Sequence, residues 1–263
     1  MKPFVCVELF GGLGNQIFQY AAGKAVARYN NCDLLVNKER DNKHNVNGHN
    51  YARELFTDAI EVDFPTNEAW LFQQQGVHMY KQSNGFEVWN PKEIPVPCVL
   101  SGYFQYLPAI EFVLPEVRAT LMKNLHEYPY QRNDLAFLHV RRGDYLKLPE
   151  FHYIQTEEYY KKALQILFQR NPEIRELYIF SDDLQWCKEQ PWLQQIPFVR
   201  FIDNTDEVRC LSLMSLCIGG AVIGNSTFSW WGAMLSRSKH VIYPSRWIAQ
   251  KIENLFPSFW VKA

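Results

Sequence analysis

A short β-type run, Val5 to Phe10, breaks on Gly11-Gly12-Leu13-Gly14 and gives way at once to a helical pattern. Ile17, Phe18, Ala21, Ala22, Ala25 and Val26 recur at helical spacing and form one apolar face. Cys32 to Val36 then reads as a second buried strand. Few folds accommodate strand, glycine turn, helix and strand in that order. A helix that returns the chain to a neighbouring parallel strand makes a crossover, and this one opens a doubly wound α/β domain.

The pattern weakens from about Asp41 to Tyr106, where Pro, Asn and Gln are frequent. Trp70, Phe72, Tyr80, Phe86, Trp89, Tyr103, Phe104 and Tyr106 show no clean period there, so only short elements are expected. Pro115 to Leu125 reads as a helix and Glu127-Tyr128-Pro129 as a linker. Regular structure then resumes. Leu135 to Val140 reads as a strand entering Arg141-Arg142-Gly143-Asp144. Thr156 is placed to cap a helix whose first turn holds Glu157 and Glu158, where negative charge suits the dipole. Its buried face would be Tyr160, Ala163, Leu164 and Leu167, and Asn171-Pro172 stops it. Strands at Leu177–Phe180, Phe198–Ile202, Ala221–Gly224 and Val241–Tyr243 follow, with helices from about Asp206 to Cys217 and from Thr227 through Leu235. A chain of 263 residues suits two α/β domains, expected at 1–128 and 129–263.

Bulk properties exclude several classes. A hydrophobic content of 47% can fill a sizeable core, which disordered chains lack. The formal charge of −1 argues against nucleic acid as a partner, while leaving room for one local basic pocket. Six cysteines at 6, 32, 98, 187, 210 and 217 include no Cys-x-x-Cys pair, so reduced thiols in a cytoplasmic protein are expected. Glu8 interrupts the first apolar run, which is unlike a signal peptide, and no stretch reaches the roughly 20 apolar residues of a membrane span. Any membrane contact would be peripheral, from the cytoplasmic side.

Three polar clusters each follow an expected strand: His139 to Asp144, Ser181-Asp182-Asp183, and Asn225-Ser226-Thr227. Open α/β sheets bind ligands outside the carboxyl ends of their strands, so parallel strands would gather all three on one rim. Arginine suits phosphate because its planar fork donates paired hydrogen bonds and stays charged. Amides at Ser226 and Thr227 would open a helix and add an anion site. Asp182 or Asp183 can accept from a purine edge or a ribose, and the rim as a whole would take a nucleoside diphosphate. Plainer readings compete: Arg141 as a surface ion-pair residue, Asp182 as a helix cap toward Trp186, and Trp230 or Trp231 as core. Absences count too. The sequence has no Asp-x-Asp triplet for a metal on the diphosphate, no His-Glu-x-x-His, no Gly-x-Ser-x-Gly and no phosphate-loop lysine. A transferase built on this chain would use arginine and amides, with no metal and no cofactor.

Glu8-Leu9-Phe10-Gly11-Gly12-Leu13-Gly14-Asn15-Gln16-Ile17-Phe18-Gln19-Tyr20-Ala21 resembles the N-terminal motif of the α-1,2-fucosyltransferases, glycosyltransferase family 11. His139 to Tyr145 is similar to their HxRRGDY motif, Phe180-Ser181-Asp182-Asp183 with Trp186 to a third, and Asn225 to Leu235 to a fourth. Gly102-Tyr103-Phe104-Gln105 resembles a further recurring segment, and the matches run in family order from residue 8 to residue 235. The resemblance implies two Rossmann-like domains of the GT-B type, GDP-fucose as donor, inversion at the anomeric carbon and no metal. It implies that Arg141 grips the β-phosphate, that His139 and Asp183 (or Asp182) read guanine, and that Asn225, Ser226 and Thr227 line the phosphates. Gly12, Gly14 and Asn15 would approach the donor from the first domain. The lack of the animal Golgi anchor favours a soluble bacterial enzyme, and the acceptor would be a terminal β-galactose on an oligosaccharide or lipid-linked glycan. Asp144 is either the general base or a brace for Arg141 or Arg142, and Asn15 can hydrogen-bond the reacting hydroxyl. The middle aromatics are either an acceptor platform or core. Two rivals stand beside this reading: a GDP-sugar transferase of another fucosyl linkage, and a non-catalytic carbohydrate-binding relative.

Overall fold

The computed structural model describes residues 2–37, 47–63, 76–125, 130–147, 152–248, 252 and 254–263. The chain divides into two compact units, Met1–Asn124 and Leu125–Ala263. The expected boundary at 128/129, the linker Glu127-Tyr128-Pro129, and Trp70 and Phe72 all lie outside the described residues.

In the first unit the described strands are β1 (Phe4–Glu8), β2 (Asp33–Asn37), β3 (Ile60–Val62), β4 (His78–Lys81) and β5 (Cys98–Ser101). They form one parallel sheet in the order β3-β2-β1-β5-β4. The helix Leu13–Asn30 makes the expected crossover from β1 to β2. It lies tight on the sheet, because a Cβ at Gly23 would stand 2.3 Å from a Val7 methyl. Trp89 and Phe104 are buried and pack at 5.3 Å, so these two middle aromatics are core and cannot serve a platform. Tyr103 remains partly exposed, against Phe10.

The second unit holds β6 (Leu135–Val140), β7 (Glu176–Ser181), β8 (Val199–Phe201), β9 (Gly220–Val222), β10 (Val241–Tyr243) and β11 (Val261–Lys262). The order is β11-β10-β9-β6-β7-β8, and every described pairing is parallel. From β6 the chain winds outward through β7 to β8, then returns to β9 on the other side. The direction of winding therefore reverses between β6 and β9, the crevice where such sheets bind ligands. All six residues of β6 are buried, as a central strand covered on both faces requires.

Thr156 caps the helix Glu157–Arg170 by accepting from the Tyr159 amide, and Tyr160, Ala163, Leu164 and Leu167 form its buried face. Trp230 and Trp231 are both core, although adjacent residues face different ways. The helix Thr227–Ser236 is covered on more than one side, and the Trp230 indole N–H donates to the Leu255 carbonyl at 3.0 Å. All six cysteines are free thiols, five of them buried. Burial pushes Cys187 up to about 11 and Cys98 and Cys210 up to about 12, so they stay protonated and unreactive. No helix among the described residues is long and apolar enough to cross a membrane.

Candidate active site

Register puts the three polar clusters level. Val140 pairs with Ser181 and Leu138 with Val222, so the loops after β6, β7 and β9 leave one edge of the sheet side by side. The loop after β6 carries the cations. Arg141 bridges two carboxylates, with Nη2 donating to Asp144 Oδ1 at 2.6 Å and Nη1 3.1 Å from Asp182 Oδ2. Its Nε is buried and has no hydrogen-bond partner. Arg142 donates from Nε to Asp183 Oδ2 at 3.1 Å, and its guanidinium lies 4.1 Å from the Trp186 ring centroid. The Arg142 backbone amide donates to Asp182 Oδ1 at 2.8 Å, stitching the β6 loop to the β7 loop. A Cβ at Gly143 would sit 2.6 Å from Asp182 Oδ2, so glycine is what lets the two loops close.

The cap after β7 is Asp183, not Asp182. Asp183 Oδ1 accepts from the Trp186 amide at 3.2 Å, opening the helix Leu184–Glu189. Asp182 instead turns both oxygens toward the arginines. Sequence spacing could not separate adjacent aspartates, since either can reach the first turn of a helix.

His139 ends β6 and is buried, its ring 5.9 Å from Phe228. Desolvation, helped by the Arg141 charge, holds its imidazole down at about 3, so it is neutral at physiological pH. Its Nδ1 makes no hydrogen bond. At β9 the geometry is tighter than the sequence suggests. The Ser226 amide donates to the Gly224 carbonyl at 2.9 Å, so it is not the open anion donor expected of it. Ser226 Oγ caps the helix by accepting from the Phe228 amide, and Thr227 begins that helix. Asn225 is held through its side-chain amide. Its Nδ2 donates to the carbonyls of Tyr153 at 2.6 Å and Trp247 at 2.8 Å, which makes it a clamp between two neighbouring segments.

One set of contacts that builds this site escapes sequence reasoning. Tyr145 donates to the Asn225 carbonyl at 3.0 Å and stacks on His152 at 3.9 Å, with the Arg141 guanidinium 5.2 Å from its ring. Burial pushes its hydroxyl up to about 12. These contacts join distant stretches of chain, and no local pattern announces them.

In the first unit the three glycines of the turn have different backbone roles. Gly11 carries the left-handed backbone at φ 77, while Gly12 is the N-cap of the helix and Gly14 is buried in its first turn. Two buried glutamines hold the turn. Gln16 Nε2 donates to the Gly11 carbonyl at 2.9 Å, and Gln19 clasps Phe10 by accepting from its amide at 3.0 Å and donating to its carbonyl at 3.2 Å. Asn15 Oδ1 accepts from Gln105 Nε2 at 3.2 Å, bringing the Gly102-Tyr103-Phe104-Gln105 segment after β5 beside the glycine turn after β1.

A model of glycosyl transferase family 11 matches residues 89–257, more than half of the chain. The chain belongs to this family. The O-antigen biosynthesis glycosyltransferase WbnK of Escherichia coli is 29% identical, over 92% of this chain and 94% of the relative. An α-1,2-colitosyltransferase of Escherichia coli is 27% identical over 98% of both. Among solved structures, NodZ α-1,6-fucosyltransferase of Bradyrhizobium, soaked with GDP-fucose, aligns with a TM-score of 0.53 at 9% identity, over 95% of this chain and 98% of that one. At that identity the likeness concerns the fold: two Rossmann-like units of the GT-B type. The chain is thus a family 11 glycosyltransferase.

Proposed function

We propose that this glycosyltransferase is an inverting galactoside α-1,2-fucosyltransferase. It moves L-fucose from GDP-fucose to the 2-hydroxyl of a terminal β-galactose and releases GDP. The observation that carries the reading is Arg141 held by two carboxylates at the crevice between β6 and β9, within a chain of family 11.

The acceptor hydroxyl attacks fucose C1 in line as the bond from C1 to the β-phosphate oxygen breaks, the electron pair leaves with GDP, and the hydroxyl proton passes to the departing phosphate or to water. Negative charge grows on the departing phosphate, and Arg141 is the group assigned to it. Bracing by Asp144 and Asp182 fixes the guanidinium before the ligand arrives, so little reorganisation is left for the reaction itself. The amino end of the helix Thr227–Ser236 adds its dipole. Asp144, engaged with Arg141, is assigned as the brace and not as the base. Asp182 is tied to the phosphate end by the same contact, which leaves Asp183, beside Trp186, to read guanine together with neutral His139. Each carboxylate oxygen retains a second lone pair for that purpose. No metal is assigned, because arginine meets the diphosphate where other sugar transferases place a cation on an Asp-x-Asp triplet.

The test is GDP release from GDP-fucose with lactose in EDTA, with the product mapped for linkage. Lactose-dependent release and an α-1,2-linked trisaccharide support the reading. No turnover across a panel of β-galactosides, with metal restored, refutes it. The α-1,2-colitosyltransferase relative favours a second reading, in which the donor sugar is colitose, fucose without its 3-hydroxyl. Preference for that donor over GDP-fucose in direct competition would decide for it.

A further inference from the structure

The rim around Arg141 is short of positive charge. Arg141 and Arg142 face Asp144, Asp182 and Asp183, two cations against three anions. A nucleotide sugar brings one more negative charge on each phosphate. Bringing anions to an anionic cluster is unfavourable unless a further cation takes part.

Arg246 lies on a loop at the same sheet edge. It follows β10, which pairs in parallel with β9 through Ile242 and Val222, so its loop leaves the same edge as the β9 loop. It is exposed and has no carboxylate partner among the described residues. Arg132 and Arg200, by contrast, pair with Asp134 and Glu176. The segment is nevertheless pinned. Gln155 Nε2 donates to the Arg246 carbonyl at 2.5 Å, and the Asn225 clamp holds the next carbonyl, that of Trp247. The guanidinium itself lies 5.1 Å from the ring centroid of Tyr153, whose carbonyl is the other end of that clamp. Asn225 in turn accepts from Tyr145, over which Arg141 lies. A continuous set of contacts therefore joins the two arginines, with the start of the helix Thr227–Ser236 between them in sequence and in sheet order.

We propose that Arg246 is a further donor-binding residue, supplying charge to the diphosphate of the nucleotide sugar; the assignment rests on the nucleotide-sugar reading above. Its chemistry suits the role, since a planar, weakly hydrated guanidinium on an aromatic face can still present its N–H edge to phosphate oxygens.

The test is calorimetric binding of GDP and of guanosine to the full chain, wild type against Arg246→Gln, with thermal unfolding to establish that the variant is folded. Loss of one charge-assisted contact to phosphate should weaken GDP binding about tenfold and leave guanosine unchanged. The dependence of GDP affinity on salt should also become shallower. Lys239→Gln removes the same charge at the opposite end of β10 and should alter neither ligand. GDP affinity within about twofold of wild type would overturn the assignment. So would an equal loss for guanosine, which would mark Arg246 as a strut for Tyr153. If the wild-type chain binds no GDP, the nucleotide-sugar reading fails first and takes this assignment with it.

Discussion

His139 offers the sharpest quantitative check, because its burial has a thermodynamic sign. Its imidazole sits at about 3 in the folded chain, against an ordinary value of about 6.5. In between, the unfolded chain binds a proton that the folded chain refuses. Stability is therefore fully present above the unfolded value and is lost as pH falls toward the folded one. Between pH 7.5 and pH 5 the contribution of this one group amounts to about 2 kcal/mol, roughly 1.4 kcal/mol per pH unit below the midpoint. His139→Asn keeps a polar side chain and removes the titration. Urea unfolding at the two pH values, followed by tryptophan fluorescence, reads the difference where it matters, since six of the eight tryptophans lie beyond residue 125. His152 and His240 are also lowered by desolvation, so the variant keeps part of the slope. The wild-type loss should exceed that of the variant by about 2 kcal/mol. A difference under about 0.5 kcal/mol would refute the buried, neutral imidazole. It would also remove His139 as a reader of guanine in that form.

Arg141→Ala should lower turnover by roughly 10²–10³ while the chain stays folded, and a fall of less than tenfold would count against its role at the leaving phosphate. Asp144→Asn should cost less than Arg141→Ala and leave the pH profile of turnover unchanged, because Asp144 acts through Arg141; a lost acidic limb would reinstate it as the base. Gln19→Leu leaves the Phe10 amide and carbonyl without their clasp, which should destabilise the first unit by about 2–4 kcal/mol in chemical denaturation. An unchanged midpoint would show the clasp to be dispensable.

Local chemistry in the chain was enough to specify much of this protein. The glycine turn between Val7 and Ile17, the Thr156 cap, the apolar face Tyr160-Ala163-Leu164-Leu167 and the stop at Asn171-Pro172 rest on near-neighbour sterics and periodicity, and they stand as read. Strands β3, β4 and β5 did not show themselves, because three or four residues are too short a run to show a period, whether partly exposed as in β3 and β4 or buried as in β5. The site divides along the same line. That Arg141, Asp182, Asp183 and Ser226 follow strands is visible in the sequence. That those strands are parallel neighbours, with the winding reversed between β6 and β9, is a property of the sheet. Only the fold could decide that Asp183 caps the helix while Asp182 holds Arg141, or that the Ser226 amide is engaged with Gly224. The reason is physical: a residue's type fixes which bonds it can make, but its partners come from strands dozens of residues away, and packing alone brings them within reach.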